Sequence, residues 1–99
     1  MYASITQYQL NPIFENDFLK LWKEQWNHLM AEQMIKSATL HRESRISYIA
    51  YTNWTNQEAF NQYIHQPEEN LHQILLKMEE CCNSIRIPFR MHTLEEDLE

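Results

Sequence analysis

Apolar and polar residues alternate with a period of two in several short segments, which predicts strands at both ends and in the middle of the chain. Residues 2–9 (YASITQYQ) and residues 85–91 (IRIPFRM) show this alternation. Pro88 predicts an edge or partly paired strand, because proline cannot donate to a ladder. Residues 37–42 and 45–54 predict two further strands joined by a short turn.

Between these strands, apolar residues spaced three and four apart predict helices. Pro12 suits the first turn of a helix that continues to about residue 36. Thr55 and Glu58 have capping-box spacing, which predicts the start of a second helix. Pro67 opens a third helical segment. The order β-α-β-β-α-α-β predicts an α+β, ferredoxin-like fold, with one antiparallel sheet and helices on one face.

The strand at residues 45–54 is apolar on both faces, which bears on assembly. Tyr48 and Trp54 lie on one face, and Ile49 and Tyr51 lie on the other. Helices on one side of the sheet cover only one of these faces, and the other would be a large exposed apolar patch. The pattern therefore predicts a homodimer whose two sheets pack together.

Length and composition exclude several classes of function. We expect the 99 residues to form one domain, with an acidic tail at residues 93–99. The formal net charge of −6 argues against a nucleic-acid partner. The chain contains no glycine, so glycine-rich phosphate loops and dinucleotide fingerprints are absent. We expect Asn, Ser or Arg to take the backbone positions that glycine normally fills.

Cysteine usage and hydropathy predict a cytoplasmic protein. Cys81 and Cys82 are adjacent, and adjacent cysteines rarely pair, so two free thiols and a reducing compartment are expected. No run of eighteen apolar residues is present, and the first ten residues lack the pattern of a secretory signal. We expect no membrane partner.

Two segments resemble a known group of proteins. They are residues 39–42 (TLHR) and residues 53–63 (NWTNQEAFNQY), where a strand ends in tryptophan and a helix begins. In these segments the chain resembles the antibiotic biosynthesis monooxygenase-like domains of the dimeric α+β barrel superfamily. The resemblance extends to the order and length of the elements. Lys36-Ser37 stands where these domains often have a glycine.

The resemblance implies a homodimer in which each protomer has a pocket between its sheet and its helices. Some members oxidise quinols or polyketide phenols with O₂ and no metal or flavin, others degrade haem, and many have no known reaction. The leading expectation is a cofactor-independent monooxygenase that acts on a small aromatic substrate. The alternative is a non-catalytic small-molecule-binding or stress-response dimer, because one fold supports many functions.

Six residues are the candidates for this chemistry. A neutral imidazole at His41 would remove the proton of a phenol, and the other interpretation is a polar position on a strand. The predicted substrate pocket consists of Trp22, Tyr51, Asn53, Trp54 and Tyr63. For the two tryptophans, stacking on a substrate competes with simple packing in the core.

Haem and metal chemistry have weaker support. The haem-degrading members have a tryptophan nine residues beyond the strand-end tryptophan and a histidine ten residues after that. Tyr63 and Gln73 occupy these positions here, and the nearest histidine, His72, is one residue early. The chain has no C-x-x-C, H-x-H or H-E-x-x-H spacing, so no metal site is predicted.

Overall fold

The computed structural model describes residues 1–94, which form a four-stranded sheet with three helices on one face. The strands are β1 (Tyr2–Leu10), β2 (Ile35–Arg42), β3 (Ser47–Trp54) and β4 (Cys82–His92), and the helices are α1 (Glu15–Ala31), α2 (Gln57–His65) and α3 (Glu69–Cys81). The strand order is β2-β3-β1-β4, and all neighbours are antiparallel. The predicted ferredoxin-like α+β fold is confirmed. Most of the predicted acidic tail, residues 95–99, lies outside the described residues.

Helix α1 ends earlier than the sequence predicts, because Gln33 adopts a left-handed backbone conformation with φ of 58°. The Gln33 N–H donates to the Met30 carbonyl at 3.1 Å, and the Met34 N–H donates to the Leu29 carbonyl at 2.9 Å. This pair of bonds is a Schellman motif, which usually places glycine at the left-handed position. The expectation that Asn, Ser or Arg would take this role was wrong at this turn.

Helix α2 is capped by a different residue from the predicted one. The Asn56 side chain accepts a hydrogen bond from the Ala59 N–H at 2.8 Å, so Asn56 is the N-cap. The Thr55 hydroxyl instead donates to the Gln33 carbonyl at 2.7 Å. The predicted capping box was therefore wrong, because Thr55 is used to hold the end of β3 against the turn that follows α1.

One face of the sheet packs against the helices and forms the core. Side chains of β3 at alternate positions are buried there, and they include Trp54, which is 2% exposed. Phe60 of α2 packs between Tyr2 and Trp54, with ring centroids 5.3 Å from each. The Trp54 indole N–H donates to the buried Ser4 hydroxyl at 2.9 Å. The polar atom of Trp54 is therefore satisfied inside the core.

The other face of the sheet has no helix over it within residues 1–94. Tyr51 on β3 is 41% exposed and Phe89 on β4 is 56% exposed. Ile5 lies between them on the same face, because it pairs with both Tyr51 and Phe89. Ile49 lies two positions before Tyr51 on β3 and therefore projects from the same face. We call this surface the open face. No helix in the described part of the chain is long and apolar enough to cross a membrane.

Candidate functional site

A small polar cluster lies inside the apolar layer between the sheet and the helices. Gln25 of α1 is only 5% exposed, although it is polar. The Tyr63 hydroxyl, on α2, donates to Gln25 Oε1 at 2.6 Å. The Tyr8 hydroxyl, on β1, lies beside Gln25 and Tyr63 and close to the indole of Trp22. Residues from β1, α1 and α2 thus meet at one point, which we call the tyrosine cluster (Tyr8, Trp22, Gln25 and Tyr63).

The two phenols in this cluster stay protonated at neutral pH. Burial raises the pKa of Tyr8, and hydrogen bonding from Gln25 offsets only part of that effect. Burial also raises the pKa of Tyr63, and the neighbouring Tyr8 raises it further. Both hydroxyls are therefore hydrogen-bond donors and acceptors, and neither is suited to act as a base.

A groove of about 220 Å³ opens beside the tyrosine cluster, between the sheet and helices α2 and α3. Thr6, Tyr8 and Tyr63 form its polar floor. Its walls are aliphatic and come from Ile64, Leu75, Met78, Ile85 and Ile87. Glu79, an exposed residue, lies at its rim. We call this the side groove; it has the apolar walls and few polar groups that are typical of small-molecule sites.

On the far side of the same tyrosines is a small chamber of about 10 Å³. Trp22 and Trp54 line it together with Tyr8 and Tyr63. The buried indole N–H of Trp22 has no hydrogen-bond partner among the described residues. A volume of this size is close to that of one water-sized probe, so the chamber does not admit an aromatic ring.

A larger groove of about 380 Å³ runs between α1 and α3, but its lining is less suited to a ligand. It contains exposed side chains of both charges: Asp17, Lys20, Glu24, Lys77 and Glu80. Such a surface is typical of the solvated sides of two neighbouring helices. The side groove is therefore the better candidate.

The structure brings three of the six predicted site residues together. Tyr63 lines both the side groove and the chamber, while Trp22 and Trp54 line the chamber. The predicted packing of Trp54 in the core agrees with its burial and its bond to Ser4. Trp54 has no surface in the side groove on which a substrate ring would stack.

The other three predicted residues project from the open face, which corrects their predicted place in the pocket. His41 pairs with Ile49 across the β2–β3 ladder, and it is exposed. Tyr51 belongs to the same face, and so does Asn53, whose amide donates to the Ser37 hydroxyl at 2.9 Å. Side chains alternate between faces along a strand, so His41 is separated from the tyrosine cluster by the sheet itself.

Besides Tyr8, two residues that define the site, Gln25 and Glu79, are not among the six predicted site residues. Gln25 occupies a polar position in the apolar stripe of α1, four residues from both Leu21 and Leu29. A buried amide needs a partner, so this position was a usable signal. Glu79 gave no such signal, because an exposed glutamate on a helix is ordinary and only the fold places it at the rim.

Metal ligands are not clustered within residues 1–94: no group of three His, Cys, Asp or Glu side chains there is arranged to hold an ion. Cys81 and Cys82 are both free. Burial, followed by the charges of Cys81 and Glu79, raises the pKa of the Cys82 thiol to about 12. This thiol is therefore protonated and a poor nucleophile at neutral pH.

Solved structures with the same architecture include proteins of known and unknown activity. An antibiotic biosynthesis monooxygenase superposes with a TM-score of 0.79 at 15% identity, covering 96% of this chain and 100% of that one. A mutant form of SnoaB, a cofactor-independent oxygenase from Streptomyces nogalater, has a TM-score of 0.78 at 16% identity, covering 99% and 97%. NE2512 from Nitrosomonas europaea, a protein of unknown function, has a TM-score of 0.75 at 9% identity, covering 99% and 93%.

Sequence comparison adds nothing to this structural likeness. No family model matches the sequence, and no curated protein matches it significantly. At identities of 9–16%, the similarity concerns the backbone and the order of its elements. The chain therefore has the ferredoxin-like α+β fold of the antibiotic biosynthesis monooxygenases.

Proposed function

We propose that the protein binds a small phenol or quinol in the side groove and promotes its oxygenation by O₂ without a metal or flavin. One observation carries the proposal: a groove with aliphatic walls is also lined by two buried, mutually adjacent tyrosines, Tyr8 and Tyr63. A volume of about 220 Å³ suits a small aromatic molecule, since an apolar cavity of ~150 Å³ is enough for benzene. The shared fold with SnoaB, described as a cofactor-independent oxygenase, supports the choice of reaction.

The proposed reaction depends on tyrosine hydroxyls that stay protonated at neutral pH, because burial raises their pKa. The neutral phenol of Tyr8 donates a hydrogen bond to the substrate oxygen, and that bond strengthens when the oxygen becomes an anion. The single proton of the Tyr63 hydroxyl is donated to Gln25 Oε1, so Tyr63 orients the cluster and its oxygen remains an acceptor. The substrate proton passes to solvent at the open rim. The anion then gives one electron to O₂, and the resulting radical and superoxide combine to form a peroxide anion with a new C–O bond. This anion takes a proton from solvent and becomes a hydroperoxide. Where the reacting carbon still carries a hydrogen, loss of water from this peroxide leaves a carbonyl group.

In this scheme the protein orients the substrate, shields it from water and stabilises its anion with hydrogen bonds. His41 is not the base, because its side chain lies on the open face. The role that the sequence suggested for His41 is taken by the tyrosine cluster, which favours the ionised substrate instead of removing the proton directly.

A non-catalytic binding protein is the second candidate. The described lining of the side groove contains no imidazole and no thiol, and both of its tyrosines have a raised pKa. The one carboxylate of the lining, Glu79, lies at the exposed rim, away from the two tyrosines. A site whose inner part has donors and no base holds an aromatic ring without changing it. This candidate requires the same groove and the same contacts, so only a reaction assay separates the two.

Oxygen uptake with a panel of hydroquinones, dihydroxynaphthalenes and anthrone tests the proposal. We expect uptake above the uncatalysed rate that persists in the presence of a chelator. Tyr8→Phe should lower turnover about 10²-fold, because it removes the donor to the developing oxyanion. His41→Ala is the matched control and should retain full turnover. Saturable binding with no uptake favours the second candidate, and loss of turnover in His41→Ala alone would overturn the assignment of the site.

We also propose that the protein is a homodimer formed through the open face. The exposed apolar side chains of Tyr51, Phe89 and Met91 lie together with Ile5 and Ile49 on that surface. A patch of this kind is costly to leave in water, and a second copy of the same sheet would cover it. The side groove lies on the other side of the sheet, so such a dimer leaves it accessible.

Two free cysteines are consistent with a cytoplasmic location.

A further inference from the structure

A second cleft of about 230 Å³ adjoins the side groove at its rim. Glu79 and Ile85 line both cavities, so the two are neighbours. The other residues of the second cleft are Cys82, Asn83 and Ser84, at the start of β4. A molecule lying in the side groove would therefore have the Glu79 carboxylate beside its outer end.

The charge that lines the side groove and the second cleft is only negative in the described part of the chain. Glu79 is the one ionisable carboxylate among the described lining residues, and no lysine, arginine or histidine lines either cavity there. Within residues 1–94 the ion pairs are His28–Glu68 and Arg42–Glu15, so Glu79 has no cationic partner in that part of the chain. The carboxylate is free to pair with a cation on a ligand.

The floor and the rim of the side groove match different chemical groups of a ligand. At the floor, the neutral hydroxyls of Tyr8 and Tyr63 match a phenolic oxygen or a carbonyl. At the rim, Glu79 supplies a carboxylate with two acceptor oxygens. An ammonium group has three donors and no acceptor, so it matches a cluster of acceptor oxygens, whereas a ligand carboxylate would be repelled.

Resting on the function proposed above, we infer that the side groove selects a small aromatic molecule with an ammonium group opposite its phenolic or quinone oxygen. Glu79 is the residue that determines this specificity. It acts by pairing with the ammonium group at the rim, and the ring lies between the aliphatic walls. Because Glu79 is exposed, the expected preference is modest, about fivefold for a charge pair near 4 Å in water.

Three probes of similar size test the inference: tyramine, 4-ethylphenol and 3-(4-hydroxyphenyl)propionate. Their dissociation constants would be measured at neutral pH and low salt by following the amide resonances of ¹⁵N-labelled protein. We expect tyramine to bind about fivefold more tightly than 4-ethylphenol, and the propionate to bind most weakly. The shifts should centre on Tyr63, Ile64 and Glu79. Added salt should reduce the preference, because it screens exposed charges.

Glu79→Gln should remove the preference for tyramine while leaving the binding of 4-ethylphenol unchanged. Glu80→Gln is the matched control, because Glu80 is the adjacent exposed glutamate and lines the groove between α1 and α3 instead. An unchanged preference in Glu79→Gln, or an equal loss in Glu80→Gln, would overturn the role of Glu79.

The outcomes also separate this inference from the proposed function. If 4-ethylphenol binds in the side groove and tyramine binds no better, the ammonium selectivity is overturned and the aromatic site remains. If none of the three probes binds saturably, both the selectivity and the assignment of the groove are overturned. Oxygen uptake with uncharged hydroquinones tests the reaction without involving Glu79.

Discussion

The phenol of Tyr63, on α2, and the amide of Gln25, on α1, are joined by a hydrogen bond of 2.6 Å across 38 positions of the sequence. This bond links two helices above the sheet and orients the tyrosine hydroxyl at the floor of the side groove. The same contact therefore contributes to stability and to the site.

Removing this hydroxyl should destabilise the protein. Tyr63→Phe removes the hydroxyl that donates to the buried Gln25 carbonyl oxygen, and we expect a loss of about 1–3 kcal/mol in the free energy of unfolding. Urea denaturation measures it. Adding Gln25→Leu to Tyr63→Phe should recover part of the loss, because an apolar side chain needs no partner. If the double variant loses more unfolding free energy than the two single variants together, the lost hydrogen bond is not the cause of the destabilisation.

Truncating Trp54 should unfold or strongly destabilise the protein, because this residue belongs to the core. It is 2% exposed and its N–H is bonded to Ser4. We expect Trp54→Ala to cost about 3–5 kcal/mol of unfolding free energy, measured by urea denaturation. Ser4→Ala tests the hydrogen bond alone and should cost about 1–3 kcal/mol. A stable Trp54→Ala protein that has lost only aromatic binding would contradict the core assignment.

Charge on the open face should dissociate the dimer. Light scattering should give twice the chain mass of 12.1 kDa for the wild-type protein. Phe89→Asp should give a folded monomer, because a buried unpaired carboxylate is costly at an interface. The matched control is Leu76→Asp on α3, where the side chain is 40% exposed on the helical side of the molecule. A monomeric wild-type protein, or equal dissociation by both substitutions, would contradict this interface.

The buried tyrosines should make the folded protein sensitive to alkaline pH. Burial raises the pKa of Tyr8 and of Tyr63 above the ordinary 10.0, so the folded state retains protons that the unfolded state releases. Their stabilising contribution is complete below about pH 10 and falls as the pH rises further. Urea denaturation from about pH 8 to about pH 11 measures the decline. The double variant Tyr8→Phe/Tyr63→Phe should decline less steeply, and identical slopes would contradict the prediction.

Much of the fold was predictable because it depends on periodicity. The period of two in β3 and the apolar stripes of the helices follow directly from the residues, and so does the edge position of the strand that contains Pro88. The end of α1 was harder to predict, because Gln33 takes a left-handed conformation that a residue with a Cβ atom seldom adopts. Its hydrogen bonds and the packing of Met34, and not its identity, define that turn.

The site was only half predictable, because it depends on which face of the sheet each strand residue takes. Trp54 and Tyr51 are three positions apart in β3, so they project to opposite faces, and a pocket that includes both cannot form on one side. Gln25 and Tyr63 come from helices far apart in the chain, and their hydrogen bond has no local sequence pattern.

The two edges of the sheet have a consequence for how copies of the chain associate. At one edge, β4 contains Pro88 and its register against β1 shifts between Ile5 and Gln7. At the other edge, β2 carries the charged residues Lys36 and Arg42. A regular ladder with a further strand is interrupted at both places. Strand-by-strand growth into fibres is thereby disfavoured, even though the sheet has one broad apolar face.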